Sequence, residues 1–147
     1  MSDTKLRFIP EDPTYVPEAA AIEAARAALG EAAGVPATAR VAAGVEFVDQ
    51  GENFERVACP ACGSELEMGW WGERMKDADA TSFRELGVTV PCCGAETSLH
   101  DLDYEAPAGF ARFVLEAPNP GVDVEAVDAE PVERAAGCLL RRIVARY

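Results

Sequence analysis

The stretch Cys59-Pro60-Ala61-Cys62-Gly63-Ser64-Glu65 and its later counterpart Pro91-Cys92-Cys93-Gly94-Ala95-Glu96 contain four of the five cysteines in this chain of 147 residues. Aligned on their Cys-Gly pairs, they read Cys-Gly-Ser-Glu and Cys-Gly-Ala-Glu. Such an internal repeat is typical of a site built from two similar turns that bring thiolates to one metal ion. The repeat therefore predicts a metal-binding module that spans both stretches.

The first stretch has the features of a zinc-binding turn: two residues between the cysteines, a proline that stiffens the turn and a glycine that permits a left-handed backbone. The second stretch differs, because Cys92 and Cys93 are adjacent and Val90 occupies the position of Cys59. The set could be completed by both of these cysteines, or by one of them with His100, the only histidine. We predict that one Zn²⁺ is held by four thiolates, those of Cys59, Cys62, Cys92 and Cys93.

Two other interpretations compete with the metal site. The cysteines could be small buried apolar residues, or Cys92 and Cys93 could form a vicinal disulfide. An odd number of cysteines without an export signal argues against a disulfide framework. We expect Cys138 to be a core residue and a non-ligating His100 to be solvated. Because four thiolates leave no open coordination position, we expect no catalytic residues at this site.

These cysteine stretches resemble those of the zinc-ribbon superfamily over residues 54–100, about a third of the chain. The resemblance implies a ribbon fold and a zinc ion. It implies no single function, because zinc ribbons occur in transcription factors, ribosomal proteins and polymerase subunits. As a whole, the chain is similar to small uncharacterised actinobacterial zinc-ribbon proteins, a likeness that assigns no site residue.

Strand and helix patterns alternate on both sides of the cysteine region. We predict an edge strand at 5–9, a helix at 18–33 ended by Gly34, and a hairpin of strands at 41–47 and 54–58. After the cysteines, we predict a strand at 110–115, a helix at 129–136 closed by Gly137, and a strand at 138–147. This order predicts an α+β fold, a ferredoxin-like split β-α-β sheet of residues 1–53 and 101–147 with residues 54–100 inserted.

The chain is strongly acidic, with a formal charge of −13. The charge is spread along the sequence, at −5 over residues 1–58, −4 over 59–100 and −4 over 101–147. An acidic surface repels phosphate backbones, so we do not expect nucleic acid as a partner. We expect a non-enzymatic protein-binding module with a basic partner, of immunity or antitoxin type. The alternatives are a nucleic-acid-associated zinc ribbon and a thiol-based redox sensor or enzyme that uses Cys92 and Cys93.

Two further features bear on location and contacts. The sequence has no apolar run of membrane-spanning length and its start lacks an export signal, so we expect a cytoplasmic protein without membrane contact. Trp70 and Trp71 are adjacent and on a strand would face opposite sides. One of them could then contact a partner, or both could pack the inserted module against the rest of the protein.

Overall fold

The computed structural model describes residues 3–147. A four-stranded sheet carries two helices, and a third helix lies in the segment that contains the cysteines. In chain order the elements are β1 (Thr4–Pro10), α1 (Ala19–Ala33), β2 (Thr38–Val48), β3 (Val57–Ala58), α2 (Met68–Ala80), β4 (Gly87–Thr89), β5 (Glu96–Ser98), β6 (Asp103–Tyr104), β7 (Gly109–Pro118), a 3-10 turn (Val124–Ala126), α3 (Glu130–Ala136) and β8 (Leu140–Arg146).

The main sheet has the strand order β2-β7-β1-β8, and all neighbouring strands are antiparallel. Phe8 in the middle of β1 lies opposite Leu115 of β7 on one side and Arg142 of β8 on the other. Two short antiparallel pairs, β3 with β6 and β4 with β5, lie between β2 and β7 in the chain. The predicted α+β class is confirmed.

Helices α1 and α3 pack on one face of the sheet. Strand alternation directs Leu6 and Phe8 to this face, where they meet Leu29 of α1 and Val132 of α3 in one buried cluster. Burying a side chain of this size contributes about 1.5–3 kcal/mol. Both helices end as predicted, at Gly34 and at Gly137, each in the left-handed conformation.

The prediction that β1 is an edge strand is wrong, since β1 lies between β7 and β8. Its charged residues form ion pairs with residues distant in the chain, on the face of the sheet away from the helices. There the Arg7 Nε donates a hydrogen bond of 2.9 Å to Glu116, and the Arg7 guanidinium also reaches Asp49. The charged residues of β1 are therefore accommodated in an inner strand because their side chains are paired.

The predicted hairpin between β2 and residues 54–58 is also wrong, because β2 pairs with β7 and the later strand pairs with β6. After β2 the chain crosses to the end of β8 instead of turning back. Gly51, at φ 58°, forms a parallel bridge with Arg146, and the Glu52 N–H donates to the Arg146 carbonyl at 2.7 Å. The turn signal at Gly51 thus marks a crossing between strands.

The segment between β2 and β7 has its own buried cluster, which includes Phe110 of the main sheet. Trp70 and Trp71 lie on helix α2 and not on a strand. Trp71, Met75 and Ala78 follow helical spacing and pack in this cluster. Both tryptophans are half-buried, and the Trp71 indole N–H donates to the Tyr104 hydroxyl at 3.2 Å. The inserted segment is therefore packed against the sheet through aromatic contacts.

None of the helices in residues 3–147 combines the length and apolar character that a membrane span requires.

Candidate metal centre

The first cysteine turn follows directly from β3. The Cys59 N–H donates to the Ser64 carbonyl at 2.8 Å, and the Gly63 N–H donates back to the Cys59 carbonyl at 2.9 Å. Gly63 has a φ of 79°, a conformation that favours glycine. The Ala61 N–H points at the Cys59 sulfur, 3.3 Å away. These bonds close a tight turn of the kind that presents thiolates to a metal ion.

The second turn, between β4 and β5, repeats the two backbone hydrogen bonds of the first. The Val90 N–H donates to the Ala95 carbonyl at 3.0 Å, and the Gly94 N–H donates to the Val90 carbonyl at 3.0 Å. Gly94 has a φ of 74°, close to that of Gly63. Val90 therefore occupies the structural position of Cys59, as the sequence alignment predicted.

The two turns supply their cysteines from different positions. Cys93 corresponds to Cys62, whereas Cys92 corresponds to Ala61 of the first turn. Val90 is fully buried in the apolar cluster of the inserted segment and contributes packing instead of a sulfur. The adjacent cysteines thus replace the usual spacing of two intervening residues.

The four sulfurs converge, and all lie within 4.8 Å of one another. The Cys59 and Cys93 sulfurs are 3.8 Å apart, and those of Cys62 and Cys92 are 3.3 Å apart. A tetrahedral Zn²⁺ with bonds of about 2.3 Å to sulfur places its ligands about 3.8 Å from one another. The group therefore fits a thiolate-bound metal such as zinc in donor type, number and spacing. Only Cys59 is buried, and the other three are exposed.

The cysteine thiols differ in pKa, because they differ in their hydrogen bonds and in their distance from one another. Hydrogen bonds from the Ser64 hydroxyl and backbone N–H lower the pKa of Cys62 to about 6. Desolvation among the sulfurs, together with the neighbouring Cys62, raises the pKa of Cys92 to about 12. The Ala95 N–H lowers the pKa of Cys93, but desolvation and the other sulfurs leave it raised. A bound cation would allow all of these groups to ionise together.

His100 lies outside this group of sulfurs, and the expectation that it is solvated is wrong. Only 2% of its surface is exposed. Its Nδ1 accepts a hydrogen bond from the Phe110 N–H at 2.9 Å, so its Nε2 carries the proton and donates to the Glu11 carbonyl at 2.7 Å. Both ring nitrogens are therefore engaged within the fold.

Arg141 completes a junction around His100 that the sequence patterns did not indicate. Its guanidinium donates to the carbonyls of His100 and Ala108, at 2.8 and 2.9 Å, and pairs with the Glu11 carboxylate at 2.8 Å. These contacts join the end of the inserted segment to strand β8 and to the end of β1. The only sequence signal was a histidine directly after the apolar Leu99.

Cys138 is separate from the other four cysteines. It is half-buried and packs against the cluster beneath the helices, where burial raises the pKa of its thiol. This placement agrees with the predicted core role.

Comparisons with protein-family models, with curated proteins and with solved structures gave no match to this chain. The resemblance to zinc ribbons therefore rests on the residues of the two cysteine turns.

Proposed function

We propose that this protein binds one structural Zn²⁺ through Cys59, Cys62, Cys92 and Cys93, and that residues 54–100 form a zinc ribbon. The observation that carries the proposal is the convergence of four sulfurs to within 4.8 Å. Bound there, zinc supplies a cross-link between two turns and neutralises thiolate charge. Four sulfur ligands leave no position for water, which supports a non-enzymatic role.

A structural role fits the small size of the inserted segment. The β-pairs around the cysteine turns are only two or three residues long, and β3 finds its partner β6 just beyond residue 100. Two-stranded pairs of this length are not stable alone. Metal binding adds folding free energy where an apolar core is limited. We infer that zinc fixes the two turns relative to each other.

We further infer that the main sheet is a ferredoxin-like split β-α-β arrangement of residues 1–53 and 101–147. The antiparallel order β2-β7-β1-β8, with α1 between β1 and β2 and α3 between β7 and β8, supports this topology. The zinc ribbon is then an insertion between the second and third strands of that sheet.

We propose that the inserted segment contacts a basic protein partner in the cytoplasm, in the manner of an immunity or antitoxin protein. Support comes from the charge of −13 and from a set of carboxylates in or beside this segment. They are exposed and lack a salt bridge within residues 3–147: Glu67, Asp79, Glu85, Glu96, Asp101 and Asp103. The same charge disfavours a nucleic-acid role, because phosphates would be repelled.

The metal proposal is tested by elemental analysis and thiol counting on protein purified without chelator. We expect one zinc per chain, with Cys138 as the one thiol that titrates before denaturation. A chain that carries no stoichiometric metal and five free thiols contradicts the proposal.

The partner proposal is tested by affinity capture from extracts of the native host, with two matched charge-reversal variants. Glu67→Lys with Asp79→Lys changes the inserted segment, whereas Glu18→Lys with Glu31→Lys makes the same charge change around α1. We expect the wild-type protein and the α1 variant to retain one basic protein that the first variant loses. Equal retention by both variants, or no reproducible partner, contradicts the proposal.

A second candidate, a thiol-based redox function, is favoured by one observation. The exposed Cys62 has a pKa lowered to about 6 and its sulfur lies 3.3 Å from that of Cys92. A metal-free protein in which Cys62 is alkylated faster than the other thiols would favour this function. Stoichiometric zinc with protected thiols would exclude it.

A further inference from the structure

A groove of about 390 Å³ lies where strand β2, the loop after β1 and the connection from α2 to β4 meet. We call it the bulge groove. Its apolar walls include Pro13, Val45, Phe83 and Leu86, and its cationic side chains are Arg84 and Arg112. None of the four clustered cysteines lines it. Its volume is in the range of small-molecule sites, which occur preferentially where structural units meet.

One wall of the bulge groove is formed by residues 43–45 of β2, where the pairing of this strand with β7 is irregular. Val41 pairs with Phe113, but the next regular pair joins Glu46 to Ala111. Four residues of β2 therefore lie opposite Arg112 alone, which interrupts the regular pairing of the two strands. Bulges of this kind often redirect side chains beside functional sites.

The opposite wall is held in an unusual backbone conformation. Ser82 and Phe83 both have a φ of 57°, in the left-handed region that side-chain-bearing residues rarely adopt. The turn is fixed by the Ser82 N–H donating to the Asp79 carbonyl at 2.9 Å and the Phe83 N–H donating to the Ala78 carbonyl at 2.8 Å. The Phe83 ring packs 5.4 Å from the ring of Phe110. Strain that the surrounding structure maintains is common at ligand sites.

Both arginines of the bulge groove lack a carboxylate partner, although the chain is acidic. The protein has 26 acidic and 13 basic residues, yet within residues 3–147 no carboxylate lies within 4.0 Å of Arg84 or Arg112. Arg112 is half-buried, and its Nε donates to the Ala42 carbonyl at 3.1 Å. That bond orients the guanidinium, and its terminal N–H groups have no acceptor among the described residues.

We propose that the bulge groove binds a small organic carboxylate with an aromatic or aliphatic body. The apolar walls hold the body, and the carboxylate pairs with Arg112 and with Arg84 at the rim. A guanidinium fork matches a carboxylate in a bidentate manner, which gives such sites both affinity and orientation. This site is independent of the proposed zinc and partner functions.

The test uses the chain of 147 residues as purified without chelator, and three probes with one aromatic body: phenylacetate, phenylacetamide and phenyl phosphate. Chemical shifts of backbone amides are followed by NMR during each titration. We expect phenylacetate to bind saturably, with a Kd of about 0.1–5 mM for a ligand of this size, and to shift Gly44 and Phe83. The uncharged amide should bind at least about tenfold more weakly.

Matched variants separate a specific site from general charge attraction. Arg112→Gln and Arg84→Gln should each weaken phenylacetate binding by about fivefold or more. Lys76→Gln removes the same charge from α2 outside the groove and should leave the Kd unchanged. The Arg84 side chain is exposed and makes no hydrogen bond within residues 3–147, whereas its backbone N–H donates to the Thr81 carbonyl at 3.3 Å. Its variant therefore keeps the test valid if Arg112→Gln perturbs β2. Equal binding of the amide, equal weakening by Lys76→Gln, tighter binding of phenyl phosphate, or no saturation up to about 50 mM would each overturn the proposal.

Discussion

The sulfur of Cys62 lies 3.3 Å from the sulfur of Cys92, although 30 residues separate them in the chain. The partner relationship is crossed, since Cys59 lies beside Cys93. The first cysteine of each turn therefore lies beside the second cysteine of the other turn. This arrangement brings all four sulfurs together. The adjacent Cys92 and Cys93 thus present two sulfurs to the group, as Cys59 and Cys62 do with two residues between them.

The equivalence of Val90 and Cys59 predicts that the ligand position in the second turn can be moved. Cys92→Ala should weaken zinc binding by at least about 100-fold, because it removes one sulfur. Adding Val90→Cys to that variant should raise its zinc affinity at least about tenfold, because residue 90 makes the same backbone hydrogen bonds as residue 59. Competition with a chromophoric chelator measures both affinities.

The matched control for this pair is Cys138→Ser, which removes a cysteine outside the group and should leave zinc affinity unchanged. No recovery in the double variant would mean that the two turns are not interchangeable. In that case the adjacent cysteines would be the only geometry the second turn permits.

Removal of zinc should loosen the inserted segment more than the main sheet. The cysteine turns after β3 and β4 are exposed and would be joined to each other by the metal, whereas Leu6, Phe8 and Leu29 are buried in a cluster beneath the helices. We expect a strong chelator to accelerate amide hydrogen exchange in β3, β4 and β5 by at least about tenfold, with little change in β1 and α1. Uniform acceleration through both regions would argue against a local structural role of the metal.

Stability should fall as the pH drops below about 6.5, in part because of His100. Burial first, and then the nearby Arg141, lower the pKa of His100 below its ordinary value of 6.5. A lowered pKa in the folded state means that the unfolded chain binds the proton first. The stabilising contribution is therefore complete above pH 6.5 and is lost as the pH falls through the lowered folded pKa.

The variant His100→Asn tests this dependence, because the asparagine oxygen can still accept the Phe110 N–H. We expect it to cost about 1 kcal/mol at pH 7.5, through the lost bond to Glu11. Its free energy of unfolding should change less than that of the wild type between pH 6.5 and 5. Parallel pH profiles from urea unfolding would show that folding does not lower the pKa of His100.

Gly51 should be difficult to replace. A Cβ at this position would lie 2.2 Å from the Arg146 carbonyl oxygen, and the φ of 58° is unfavourable for alanine. Gly51→Ala should therefore destabilise the protein by about 2 kcal/mol or more, because backbone atoms must move. Gly87→Ala is the control, since it has open space and should change stability by less than about 0.5 kcal/mol. Similar unfolding midpoints for the two variants would contradict the close approach of the chain to β8.

Local patterns in the sequence predicted the features that depend on local physics. Helix α1 and its end at Gly34 follow from helical spacing and from the left-handed preference of glycine. The likeness of the two cysteine turns came from the repeat itself, and it extends to their hydrogen bonds. These features need no knowledge of distant partners.

Features that depend on long-range pairing were missed. The charged Lys5 and Arg7 suggested an edge strand because their partner Glu116 lies more than 100 residues away. Glycines beside Trp70 and Trp71 weakened the helical signal of α2, which is stabilised by packing of Trp71 against Phe47. The junction of His100 and Arg141 joins residues 41 positions apart, and no short motif indicates it.

The central claim is that one zinc ion is bound by four sulfurs, and X-ray absorption at the zinc edge tests it most directly. For wild-type protein purified without chelator, we predict four sulfur ligands at about 2.3 Å and no nitrogen or oxygen in the first shell. A histidine nitrogen or a water oxygen among the ligands, or fewer than four sulfurs, would contradict the account.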